Sequence, residues 1–224
     1  MRIGIITCDE SGSKNLFLCE LKKFQFKTTM ISQDVVWHGT TFDYIVFLGF
    51  LDKTIRRVVM SDPGLKQRDL PSFIEFGFIQ DLPLAPDDVW WQYRILHSSA
   101  KSDFFQICTI AINKTEIARI LEGLSENNLR VDNVLSAKLF LTNDLFPELS
   151  TGNEIDFDAV KQYMLQHEQA AFREFLNEID SSGKLSGKNA VAIYAFLKFL
   201  KTSGHFSDIY SRYYSAFEKI GVYF

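Results

Sequence analysis

Three cysteines, five prolines and twelve glycines are few for a chain of 224 residues, and each shortage removes a class of protein. Cys8, Cys19 and Cys108 are odd in number, far apart and set in apolar surroundings, with no CxxC pair and no Cys/His cluster. That argues against structural zinc and against a secreted disulfide framework, and points to reduced, buried thiols. No apolar run is longer than the eight residues Tyr44–Leu51, which suit a buried strand and fall far short of a bilayer span. The opening MRIGIITCDESG meets Asp9 and Glu10 too soon to hold a signal-peptide core, so a cytoplasmic protein is expected, without membrane insertion. Lys and Arg number 24 against 28 Asp and Glu, a net charge of −4. Phosphate-driven nucleic-acid binding needs the opposite balance and is not expected.

What is abundant is phenylalanine, 21 residues, within a chain that is 46% apolar. Such a composition excludes disorder over the bulk of the chain and is enough for a dense, aromatic-rich core.

Hydrophobic period divides the chain into elements. RIGIITC at 2–8 is strand-like, ESGSKN is a turn composition, and 16–31 alternates, with Phe24 and Phe26 set against Lys23, Gln25 and Lys27. The expectation for 16–31 is one half-buried strand, joined to the first by a hairpin. TFDYIVFLGF reads as a fully buried strand and TIRRVVM as the next, closed by Ser61-Asp62-Pro63-Gly64. The period then becomes helical, with Leu70, Phe73, Ile74, Phe78 and Ile79 on one side. Pro71 fits the first turn, and the helix stops before Pro83.

DVWWQYRIL and FFQICTIAI read as an antiparallel pair. Asn113 caps a helix with Glu116 completing a capping box, and a short strand follows at 130–135. After a linker near 146–153 no further strand is expected. One helix, capped by Asp156, should carry Phe157, Val160, Met164, Ala171, Phe175 and Ile179 on a stripe. Asn189–Lys201 should be a buried helix. Ser207 should cap a third, with Ile209, Tyr213, Phe217 and Ile220 and with Gly221 at its end. Residues 148–180 hold eight acids against Lys161 and Arg173, whereas 184–201 hold four lysines and no acid. Solvated faces account for this, as would a contact between the two helices or with a partner.

Few residue groups suggest chemistry. Asp9, Gly12 and Lys14, between the first two strands, are the residue types of a phosphate-cradling hairpin, where backbone N–H groups hold phosphate and an acid helps hold Mg²⁺. Ser11, however, stands where the usual Asp-x-Gly spacing needs glycine, so a plain hairpin is the simpler reading. Ser182–Asn189 echoes a phosphate loop without a preceding strand or the required hydroxyl. His38, His97, His167 and His205 are scattered. Glu75, Asp87 and Asp88 are explained by a helix face and a turn. No catalytic residue and no metal site is assigned. Trp90 and Trp91 must face opposite sides of a strand. Either both faces are covered, or Trp90, Trp91 and Tyr93 include a partner-binding aromatic.

The run from Thr41 to Leu139 resembles the actin-like cytoplasmic proteins of type IV pilus and type II secretion assembly platforms, the PilM and GspL group. The resemblance lies in order and spacing: a buried strand, the strand bearing Arg57, a helix with Glu75, Leu82-Pro83-Leu84, Asp87-Asp88, then Tyr93-Arg94-Ile95-Leu96. A strand, a helix ending at Asn128-Leu129 in place of Gly-Leu, and a last strand complete it.

The resemblance implies an α+β fold: a partial actin-like (ribonuclease H-like) lobe over 1–147, a βαββαβ subdomain inserted at 41–140 that mediates protein contacts, and a C-terminal helical region over 153–224. No second Asp-x-Gly hairpin follows residue 140. The implied protein is therefore a non-catalytic bacterial scaffold without cofactor, or a piece of a longer chain, that binds an inner-membrane partner and can self-associate. The alternatives are an ATP/Mg-binding relative using Asp9, Gly12 and Lys14, or an α+β interaction domain unrelated to pili.

Overall fold

The computed structural model describes residues 2–8, 14–22, 25–33, 42–51, 53–98, 104–126, 131–147, 149, 155–179, 187–202 and 222–223. Its strands are β1 (Arg2–Cys8), β2 (Lys14–Lys22), β3 (Gln25–Gln33), β4 (Tyr44–Gly49), β5 (Ile55–Met60), β6 (Val89–Ser98), β7 (Phe105–Asn113), β8 (Asn133–Ser136) and β9 (Val222–Tyr223). The α-helices are α1 (Leu70–Ile74), α2 (Lys114–Ser125), α3 (Phe157–His167), α4 (Gln169–Ile179) and α5 (Gly187–Thr202). The protein is mixed α+β, as its periodicities lead one to expect.

Two sheets form. The first has the order β3-β2-β1-β4-β8, and the second β5-β7-β6-β9. Pairing is antiparallel between β1 and β2 and between β2 and β3, and parallel from β1 to β4 and from β4 to β8. Residues 41–140 therefore supply strands to both sheets, because β4 and β8 belong to the first and β5, β6 and β7 to the second.

Both faces of the first sheet are covered. Ile3, Ile5, Phe17, Val46, Leu48 and Leu135 share one core with Val160, Met164, Phe172 and Phe196 of the helices. Ile6, Leu16, Phe47 and Val134 pack on the other face with Ile117 and Leu124 of α2. Successive residues of each strand enter different cores, which is why β4 reads as an unbroken apolar run. Phe146, inside the expected linker, is fully buried in the first of these cores. The helical segment is thus a layer on the sheet.

Several elements depart from expectation. The alternating run 16–31 is not one strand but parts of β2 and β3, which lie antiparallel. Sixteen residues would exceed the usual strand length, and alternation alone carries no mark of where a chain reverses. The helix expected from Phe157 to Ile179 is two, parted at Glu168, whose φ of −125° and ψ of 24° leave the helical region. The apolar stripe changes phase there, so Phe172 is buried and Ala171 exposed. At the break, Tyr194 and Lys198 of α5 both donate to the Glu168 carboxylate, so an acid of one charge block meets a lysine of the other. Burial, and then Glu168, push the Tyr194 phenol above its usual range.

The Asn113 cap is present, its side chain accepting from Thr115 N at 2.9 Å. Glu116, by contrast, does not close a capping box. It accepts from Lys53 at 2.9 Å and Arg119 at 3.2 Å. Finally, a strand does follow residue 147: β9 pairs with β6. The helix expected from Ser207 to Gly221 lies outside the described residues.

The helical stretch before Pro83 ends in a π-turn, Glu75–Ile79. Gly64, with φ of +78°, turns the chain after β5 where a residue with Cβ would be strained. Among the described residues no helix is long and apolar enough to cross a membrane.

None of the cysteines is in a disulfide. Burial pushes the Cys19 thiol up to about 12 and raises Cys108 as well, while Cys8 is half-buried. Thiolate is the reacting form, so a thiol reagent such as Ellman's at pH 8 should modify no more than Cys8 promptly in the native protein and all three in urea. Prompt modification of three thiols without denaturant would contradict this packing.

Candidate functional site

Strand β6 carries the aromatic candidates, and its alternation gives it two unlike faces. Val89, Trp91, Tyr93 and Ile95 lie toward α1, in a core with Leu70, Ile74, Phe78, Ile107 and Ala111. Trp91 and Tyr93, two apart and hence on one side, stack with centroids 5.9 Å apart and planes inclined by 26°. Trp90 faces the other way and packs against the core that holds Ile112 and Ile117. Both tryptophans are half-buried, whereas Tyr93 is only 2% exposed and acts as packing. Of the three, Trp90 and Trp91 keep accessible ring surface, on opposite sides of the sheet.

The second face of β6 is polar, and sequence reasoning passed it over. Gln92 and Arg94 are buried there, as is Arg56 from β5, and all three donate to main-chain carbonyls of residues 134–141. Gln92 Nε2 donates to Val134 O at 2.7 Å, and its Oε1 accepts from Ser136 N at 3.4 Å. One side-chain amide thus does for β8 what the peptide groups of a neighbouring strand would do, satisfying an edge that would otherwise be buried unpaired.

Arg94 reaches further. Its Nε donates to Leu139 O at 2.9 Å, and its Nη1 and Nη2 form a fork on Asp144 at 2.9 and 2.8 Å. Nη2 also donates to Thr142 Oγ1, and the Phe199 ring of α5 lies 5.0 Å from the guanidinium carbon. The pattern W-x-Q-x-R, polar at every second position of an apolar strand, was the available signal. Polar groups at such spacing on a covered face must find partners.

The outer edge of β6 is the third feature. There β9 pairs opposite Tyr93 and Arg94, while on the inner edge the register with β7 shifts between Ile95 and His97.

The phosphate-hairpin candidates fare differently. Asp9 and Gly12 lie outside the described residues. Lys14 Nζ donates to Gly123 O, a carbonyl in the last turn of α2, where a cation is favoured. Thr7 Oγ1 on β1 and Ser136 Oγ on β8 are buried without a hydrogen-bond partner among the described residues. They lie near the carboxyl ends of the parallel strands β1 and β8.

Among the other candidates, Glu75, Asp87 and Asp88 are exposed. Arg57 lies over the Phe78 ring at 5.4 Å and 3.9 Å from Asp81. His167 stacks on Tyr163. No group of three His, Cys, Asp or Glu able to hold a metal occurs among the described residues.

The sequence matches no family profile and no curated protein. Among solved structures, the chain is similar to the cytoplasmic domain of EpsL, an inner membrane component of the type II secretion system of Vibrio cholerae. That likeness has 13% identity and a TM-score of 0.41, and covers 67% of this chain and 62% of that one. The chain thus spans less than two thirds of that domain's length. It is also similar to a chain of the PilM-PilN type IV pilus biogenesis complex, at 11% identity and a TM-score of 0.48, covering 88% of this chain and 84% of that one.

Proposed function

We propose that this protein is a non-catalytic cytoplasmic scaffold of a type IV pilus or type II secretion assembly platform, holding a segment of an inner-membrane partner. The observation that carries the reading is the threading of the first sheet. Three antiparallel strands are followed by two parallel ones in the order β3-β2-β1-β4-β8, and a second sheet intervenes between β4 and β8. That is the arrangement a partial actin-like lobe with an inserted unit would have. On this reading the lobe comprises β1–β4, β8 and the helices over them, and the insert runs from β5 to α2.

Lys14, drawn to the end of α2, supports the non-catalytic half of the proposal. In calorimetric titration with ATP and Mg²⁺, the protein should show no binding tighter than about 1 mM, near −4 kcal/mol. Lys14→Ala should leave that null result unchanged. Micromolar binding that disappears in Asp9→Ala would instead establish the nucleotide-binding alternative. For the other half, peptides from the cytoplasmic segments of single-span proteins of the same platform should include one that binds with Kd near 1 μM, about −8 kcal/mol. Failure of every such peptide would defeat the partner assignment.

A further inference from the structure

Phe76 is 73% exposed, the most open large apolar side chain among the described residues. The turn that carries it explains how. A π-turn holds one residue more than an α-turn. Over Glu75–Ile79 that extra residue lets Ile74, Phe78 and Ile79 all reach the core at 1% exposure, while Glu75, Phe76 and Gly77 are carried outward. A Cβ on Gly77 would meet nothing within 4 Å, so the flank of the turn beside the Phe76 ring is clear.

Charge gives this surface a sign. From Asp69 to Asp88 the chain carries Asp69, Glu75, Asp81, Asp87 and Asp88, all exposed, and no lysine, arginine or histidine. Arg68 reaches the stretch at Asp69, Arg57 at Asp81, and Lys114 at the main-chain oxygen of Asp87. Glu75 stands directly before Phe76.

The same turn already displays the chemistry that suits such a pair. Arg57 lies 5.4 Å from the centre of the Phe78 ring and 3.9 Å from Asp81, a guanidinium over an aromatic face with a carboxylate beside it. A planar, weakly hydrated guanidinium serves both at once. We propose that Phe76 and Glu75 offer this arrangement to another protein and dock an arginine-bearing segment, whose apolar residues cover the rest of the ring. The acids decide among occupants. An anionic bilayer or a nucleic acid is repelled by them, and a second copy presenting the same surface would set acid against acid. A basic polypeptide gains from the ring and the carboxylates together. The proposal goes beyond the assembly-platform reading and does not rest on it.

The test uses the full chain and a fluorescein-labelled peptide of sequence RLLRRLLR, followed by anisotropy at physiological salt. Its Kd should be about 100 μM or tighter. Phe76→Ser, which keeps the wild-type urea midpoint, should weaken binding about tenfold, through loss of the aromatic face and of the area it buries. Glu75→Gln, with the ring in place, should weaken it about threefold. A twin peptide with citrulline for every arginine should bind at least tenfold less tightly, for it has the shape without the charge. Binding that neither variant alters, binding to no form of the protein, or equal binding of the citrulline twin overturns the proposal. Phe76-dependent binding to phosphatidylglycerol vesicles would make a membrane the occupant, and a wild-type dimer dissolved by Phe76→Ser would make it a second copy. Either result overturns the proposal as well, and leaves the platform peptides to be judged on their own.

Discussion

Arg94→Ala should lower stability by about 3–4 kcal/mol, read as a fall in the urea midpoint at unchanged slope. The Arg94 side chain is 3% exposed and that of Asp144 27%, so the truncation leaves a half-buried carboxylate without its guanidinium, held by the Thr142 hydroxyl. It also removes the donor to Leu139 O, which has no route to water from its place beneath the second sheet, and it empties the space beside Phe199. Arg94→Lys should recover less than half of the loss, because an ammonium cannot span Asp144 as a fork while also reaching a main-chain oxygen. The loss should be local before it is global: amide exchange should rise first at residues 139–144, which Arg94 ties to the second sheet. A midpoint within experimental error of the wild type would mean that Arg94 does not join these parts.

The second large effect is expected at Phe140, which is fully buried where the 137–146 segment meets α5. Its ring lies 5.2 Å from that of Phe196 and 5.1 Å from that of Phe199. Phe140→Ala should cost about 4 kcal/mol, combining lost transfer free energy with a cavity between a short 3-10 turn and a helix that cannot close on each other. Phe140→Leu should cost roughly 1–1.5 kcal/mol, since most of the volume is kept. Phe76→Ser offers the internal control. That phenylalanine is 73% exposed, and the same loss of an aromatic ring there should shift stability by less than about 0.5 kcal/mol. Equal costs at Phe140 and Phe76 would show that the core is not where the structure puts it.

Much of this was legible because it is local. The apolar run Tyr44–Phe50 becomes β4, the helical spacing after Leu70 becomes a helix with Pro71 in its first turn, and Asn113 and Asp156 cap where their side chains can reach the next amides. Each case depends on residues within one or two turns of one another, so period and cap chemistry suffice. The opposed placement of Trp90 and Trp91 followed from strand geometry alone.

What escaped detection involves residues far apart in the chain. At the break between α3 and α4, Glu168 is held by Tyr194 and Lys198 from another helix, and nothing near Glu168 in the sequence announces them. Gln92 and Arg94 looked like ordinary polar residues of a strand, for their partners lie some forty to fifty residues onward in 134–144.

Sequence alone, then, determined the identity of most elements and which side chains share a face, since both follow from the pitch of a helix and the pleat of a strand. Tertiary structure decided which strands became neighbours. β4 and β5 are consecutive strands, yet one joins the first sheet and the other the second, and β9 pairs with β6 from more than half the chain away. Strands are joined by main-chain N–H and C=O groups that every residue but proline presents alike, so the pairing leaves almost no mark on residue identity until the layers pack.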